Sequence, residues 1–173
     1  IDFKLISNGI EKLNTTGVNS LFDVIFLLYG REAHEACIPV EESIGPNSFS
    51  GYISNPTYTL ANKSKQVFSV NGRLIKNPLL SKALQQSYKD IIPARRFPLT
   101  VLNIATTASS LDVNIHPQKL DVKFLNPGFI FDCLPKVIYQ SLQASQAHIR
   151  PLDSIMHTPI ESSESFTQAP SYP

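Results

Sequence analysis

Between Gln66 and Ala105 the apolar pattern of this chain changes period twice, and that change limits the folds open to it. Gln66–Ile75 brings Val67, Phe68 and Val70 together in a short apolar run that leads into Asn71-Gly72-Arg73, which reads as a strand. Pro78–Ile92 then sets Leu79, Leu80, Ala83, Leu84, Tyr88 and Ile91 on one stripe, with Lys82, Gln85, Gln86 and Lys89 facing away. That is an amphipathic helix, opened by a first-turn proline and ended at Ile92-Pro93. Phe97–Ala105 returns to an apolar strand. A helix with one apolar stripe must bury it on a neighbouring layer, so the expected class is α+β.

The flanking sequence adds to both layers. Asp2–Ser7 and Ile10–Leu13 alternate around Asn8-Gly9 and predict a hairpin. Leu21–Tyr29 predicts a helix, with Asn19 or Ser20 as cap, Gly30 as stop and Leu21, Val24, Ile25 and Leu28 as core positions. Glu35–Val40 and Ser48–Ser54 read as strands around Gly45-Pro46-Asn47, and Asn55–Lys65 as a polar connection. A last helix is expected from about Gly128 to Gln143, burying Ile130, Phe131, Leu134, Ile138 and Leu142 and broken or kinked at Pro135. The sum is a mixed sheet of six or more strands with about three helices. From Ala144 the periodicity fades, and Ala147–Pro173 is rich in Pro, Ser, Gln and Thr. The expected organisation is a folded domain over 1–145 and a disordered linker or tail over 146–173.

Leu111–Phe124, LDVNIHPQKLDVKF, reads as two short alternating segments around His116-Pro117-Gln118-Lys119. Pro117 fixes its own φ and disfavours a helical His116, so a stiff loop is expected to present Lys119. A cation held in this way suits an anion met at a defined place, such as a terminal phosphate. The alternative is an ordinary strand connection with a solvated lysine.

Net charge is +1, but it is unevenly spread. Residues 63–96 hold eight bases, Lys63, Lys65, Arg73, Lys76, Lys82, Lys89, Arg95 and Arg96, against Asp90 alone. Such a block attracts a polyanion, although an ordinary solvated surface is the alternative. Its two aromatic residues, Phe68 and Tyr88, belong to the apolar run and the apolar stripe, which argues against single-strand stacking. Other chemistry finds no support. There is no glycine-rich phosphate loop, and His34, His116, His148 and His157 lack partners at metal spacing. Adjacent Glu41 and Glu42 would face opposite ways in a strand. Cys37 and Cys133 stand far apart, which fits core thiols in a reducing compartment. No apolar run is long enough for a membrane helix. A chain that opens mid-pattern on IDFKLISNG reads as a segment of something longer.

VFSVNGRLIKNPLLSKALQQSY, FPLTVLNIA and LDVNIHPQKLDVKF together resemble the second domain of the MutL-type DNA mismatch repair proteins, over roughly residues 1–143. The carriers are VNGR at Val70–Arg73 and DVNIHPQK at Asp112–Lys119, where the family form is close to DVNVHPAK, so that Ile115 and Gln118 are mild departures. The resemblance implies a ribosomal-protein-type split βαβ (transducer) fold with a left-handed crossover, following an N-terminal ATPase of the gyrase–Hsp90–histidine kinase–MutL superfamily. It implies that Lys119 contacts the γ-phosphate of ATP, bound with Mg in the preceding domain, and that Asn114 helps form that loop. The basic surface, Arg73, Lys76, Lys82, Lys89, Arg95 and Arg96, is then similar to part of a groove for double-stranded DNA. Implied partners are the ATPase domain, a second MutL-type subunit and a MutS-type mismatch sensor, in the cytoplasm of a bacterium or the nucleus of a eukaryote. The ATPase motifs are absent from these residues, so this chain is expected to be no enzyme on its own and to hold no nucleotide tightly. A stand-alone nucleic-acid module is the alternative reading. A type II topoisomerase transducer is disfavoured, because its lysine sits in a different, QTK-type motif.

Overall fold

The computed structural model describes residues 4–107, 110–112 and 123–148. Strands β1 (Lys4–Ser7) and β2 (Ile10–Asn14) form the antiparallel hairpin expected at Asn8-Gly9. Both turn residues have positive φ, 53° and 73°, as the tight two-residue turn requires. Helix α1 (Leu21–Tyr29) has the expected bounds. Ser20 Oγ accepts from the Asp23 N–H at 3.0 Å, and Gly30 stops the helix at φ 84°. Its burial differs from expectation. Ile25 is buried, but Leu21, Phe26, Leu27 and Leu28 are 42–49% exposed. The helix is apolar on nearly every side, so the stripe alone could not say which side meets this domain. Phe22 sets the docking instead, stacking on His34 at 3.7 Å and on Tyr52 at 5.2 Å between ring centroids.

A one-turn helix, α2 (Arg31–Glu35), replaces the start of the expected strand at Glu35. Arg31 Nε donates to Glu35 Oε1 at 2.6 Å across that turn. Strand β3 (Cys37–Ile44) then pairs along its whole length with β4 (Asn47–Ser54), and Gly45 supplies the positive φ of the tight turn. Cys37 is half-buried, and burial pushes its thiol up to about 11. Alkylation at pH 8 is expected to run roughly a hundredfold slower than for an ordinary cysteine, because only the thiolate reacts; timed labelling read by mass spectrometry checks this.

Strand β5 (Thr59–Leu60) lies in the polar connection. The expected single strand at Gln66–Ile75 is a hairpin, β6 (Gln66–Val70) and β7 (Arg73–Ile75). Asn71 and Gly72 reverse the chain at φ 50° and 76°. Helix α3 (Pro78–Ser87) starts as expected, with the Asn77 side chain accepting from the Leu79 N–H at 2.9 Å. It ends before Ile92. Tyr88 is fully buried and donates its hydroxyl to Ser54 O at 2.8 Å, and the N–H groups of Ile91 and Ile92 both turn back to Tyr88 O. Strand β8 (Phe97–Pro98) pairs with β5, and β9 (Thr100–Ala105) is the apolar strand foreseen. Strands β10 (Leu111–Asp112) and β11 (Lys123–Phe124) pair antiparallel. Helix α4 (Pro127–His148) runs unbroken through Pro135. The proline removes one N–H from the ladder, yet Ile130, Leu134, Val137, Ile138 and Leu142 are buried along one side and hold the helix to the core. The helix continues past Ala144, where the apolar pattern fades.

The main sheet has the order β3-β4-β9-β6-β7, with β6 and β9 parallel and the other neighbours antiparallel. The fold is therefore α+β with a mixed sheet. The strands do not all join it: β1-β2, β5-β8 and β10-β11 are separate ribbons. One face of the main sheet, with Val40, Phe49, Phe68, Val70, Leu102 and Ile104, packs against α3 and α4 in a single core. Among the described residues no helix is long and apolar enough to cross a membrane.

Candidate nucleic-acid interface

The basic residues take their places from the β6–β7 hairpin and from α3. Arg73 opens β7 directly after the turn, and Lys76 follows the strand's last residue. Both are exposed. Lys76 lines a cleft of about 440 Å³ with Lys63, Gln66, Asn77, Pro78 and Ser81. The fold thus brings Lys63, from the polar connection, beside Lys76. Lys63 belonged to the basic block but was not among the expected contacts, because the signal that singles it out is the pairing of distant segments. Lys63 Nζ also lies 5.3 Å over the Phe97 ring.

Lys82 is exposed on α3. Lys89 is exposed too, but it lies beyond Ser87, so the shared helix face expected for Lys82 and Lys89 does not exist. Arg95 has φ 63° and is exposed. Arg96 is committed to the fold: its Nε donates to Thr59 Oγ1 at 3.0 Å and its Nη2 to Thr59 O at 2.7 Å. The ion pairs among the described residues are Lys4–Glu11 and Arg31–Glu35, and neither involves this basic surface. Its positive charge therefore has no ion-pair partner within the described part of the domain.

Lys119 and Asn114 lie outside the described residues. The residues that flank them are described: Leu111 pairs with Phe124, Asp112 with Lys123, and the Leu125 N–H donates to Ser110 O at 3.0 Å. Phe124 is buried in the main core, which fixes that pairing to the domain. Among the described residues no three His, Cys, Asp or Glu side chains gather as metal ligands.

A crystal structure of the N-terminal domain of a DNA repair protein matches this fold with a TM-score of 0.69, over 85% of this chain and 49% of that one. At 21% identity that likeness concerns the fold alone. Residues 25–143 match the family described as DNA mismatch repair protein, C-terminal domain. The DNA mismatch repair protein MutL of Syntrophomonas wolfei is 38% identical over 134 residues, 78% of this chain and 23% of the relative. That of Agathobacter rectalis is 34% identical over 142 residues, 82% and 22%. The chain belongs to the MutL family of DNA mismatch repair proteins. It spans about a fifth of the length of the curated relatives it matches.

Proposed function

We propose that this chain is the transducer domain of a MutL-type mismatch repair ATPase. Lys119 senses the γ-phosphate of ATP in an adjoining ATPase domain, Asn114 shapes the loop that carries it, and the basic surface holds duplex DNA. ATP with Mg, bound by the adjoining domain, supplies the terminal phosphate. A lysine is a compact charge suited to that group, and the contact it makes with ATP is weakened with ADP. Nucleotide state thereby acquires different affinities for two arrangements of the domains, which is what a switch needs. Closure of two MutL-type subunits, and dialogue with a MutS-type mismatch sensor, follow from this reading.

The observation that carries it is a set of uncovered apolar side chains on two elements. Leu5, Ile6 and Ile10 of the first hairpin and Leu21, Phe26, Leu27 and Leu28 of α1 are all exposed. A group of this kind marks an interaction surface. The curated relatives are several times longer than this chain, which fits a further part of the protein resting on these side chains.

The DNA half is tested in a full-length MutL-type protein that carries this chain. Arg73→Glu with Lys76→Glu should weaken duplex binding and reduce the slope of log affinity against log salt by about two. An unchanged slope refutes the assignment of these residues to the groove.

A further inference from the structure

The cleft at the start of α3 takes one lysine from each of two separate segments. Among the described residues its lining contains Lys63 and Lys76 but neither Asp nor Glu, and the first turn of α3 carries no acid either. Phe68 and Ile75, both buried in the core, form its apolar base, and Ser64 and Ser81 add hydroxyls. Two ammonium groups on the walls of one cleft repel each other, and the positive end of the helix adds to that field. An anion lying between them relieves the repulsion. Close to apolar side chains that attraction is less screened than in open water.

Lys63 is held at this cleft by its own surroundings. The Asn62 side chain accepts the Ser64 N–H at 3.0 Å, and the Gln66 N–H closes back on Lys63 O at 3.0 Å. Arg96 ties the same connection down at Thr59, and the Lys63 ammonium rests over the Phe97 ring. Part of the ordering that binding would otherwise require is therefore already in place. Lys65, two residues on, is turned elsewhere. Its Nζ donates to Tyr58 Oη at 3.4 Å and lies 5.0 Å over the Tyr29 ring, and it does not line the cleft.

We propose that Lys63 is a phosphate contact for double-stranded DNA, with the backbone of one strand lying in the cleft between Lys63 and Lys76. The proposal rests on the reading above, in which the basic surface holds a duplex, and adds to it a residue and a path. That path leaves the bases unread. Point charges and hydroxyls suit the phosphate oxygens of any sequence, so the contact gives affinity and position without sequence preference.

The test measures duplex affinity of a full-length MutL-type protein that carries this chain across a range of salt, with a random-sequence duplex as the probe. Lys63→Met removes the charge and keeps an unbranched side chain on Phe97. It should lower the slope of log affinity against log salt by about one, with the melting temperature unchanged. Lys63→Arg restores the charge and should return the slope to that of the parent. Lys65→Met is the control, an equal loss of charge two residues away, and should leave the slope alone. A parent-like slope in Lys63→Met overturns the proposal and leaves the duplex reading standing on Arg73 and Lys76. An equal fall in Lys65→Met also overturns it, because that marks a general field and no contact. A fall that Lys63→Arg fails to restore marks a structural role and overturns it too. Parent affinity without salt dependence overturns the duplex reading and the proposal together.

Discussion

Lys119→Ala, made in a full-length MutL-type protein that carries this chain, is expected to lower ATP turnover by on the order of 10² to 10³, the scale of losing one preorganised charge from a phosphoryl-transfer site. Duplex affinity measured without nucleotide should change little. The lysine is proposed to meet a terminal phosphate whose remaining contacts come from another domain, so its removal strikes the step in which that charge is stabilised. Lys119→Arg is a sharper control than it looks. Guanidinium is planar, longer and more weakly hydrated than ammonium, and it is not interchangeable with a point charge at a phosphate. Steady-state turnover at saturating ATP is the measurement. Parent-like turnover in Lys119→Ala would sink the sensor role.

Gly51→Ala should disrupt the fold more than any other single-methyl addition among the described glycines. Gly51 lies within β4, opposite Val40 on one side and Leu102 on the other. A Cβ there would stand 2.1 Å from the backbone oxygen of Val101, and the residue sits at φ +137°. Backbone cannot swing away as a side chain can, so the sheet must spread. Overpacking and a disfavoured φ each cost about 1–3 kcal/mol, so about 2–6 kcal/mol is expected. That is a large share of the stability of a typical domain. Gly45→Ala is the comparison: φ is +60° but the space around it is open, and about 1 kcal/mol is expected. Denaturant midpoints of the two variants decide whether close approach, beyond φ alone, makes Gly51 necessary.

Where the sequence was legible, local chemistry set the outcome. Ser20 and Gly30 bound α1, Asn8-Gly9 closes the first hairpin, and Asn77-Pro78 opens α3. One misreading was local: the second Asn-Gly pair, Asn71-Gly72, carries the same turn chemistry as the first, and Phe68 pairs with Ile75 across it. The other misreadings share one cause, which is that the deciding partner is distant in sequence. Tyr88 ends α3 early while holding Ser54, thirty-four residues away. Helix α1 is apolar on several sides, and the side it buries is the one that carries Ile25, with Phe22 stacked on the distant Tyr52. The candidate site follows the same rule. Arg73 and Lys76 were readable from the charge block. The cleft that adds Lys63, the Thr59 bonds that occupy Arg96, and the break between Lys82 and Lys89 all needed the tertiary arrangement.

Strand β9 occupies the middle of the main sheet, yet it is the last of the five strands to be synthesised. In a chain emerging from the ribosome the segments of the β3-β4 and β6-β7 hairpins both precede β9, and without it no ladder joins them. Each exposes a strand edge that has nothing to pair with until β9 arrives. The sheet then closes from both sides in one event, around a parallel pairing that local contacts cannot prepare. The interval between translation of Val70 and of Ala105 is thus the period when this domain is most open to pairing with the wrong strand.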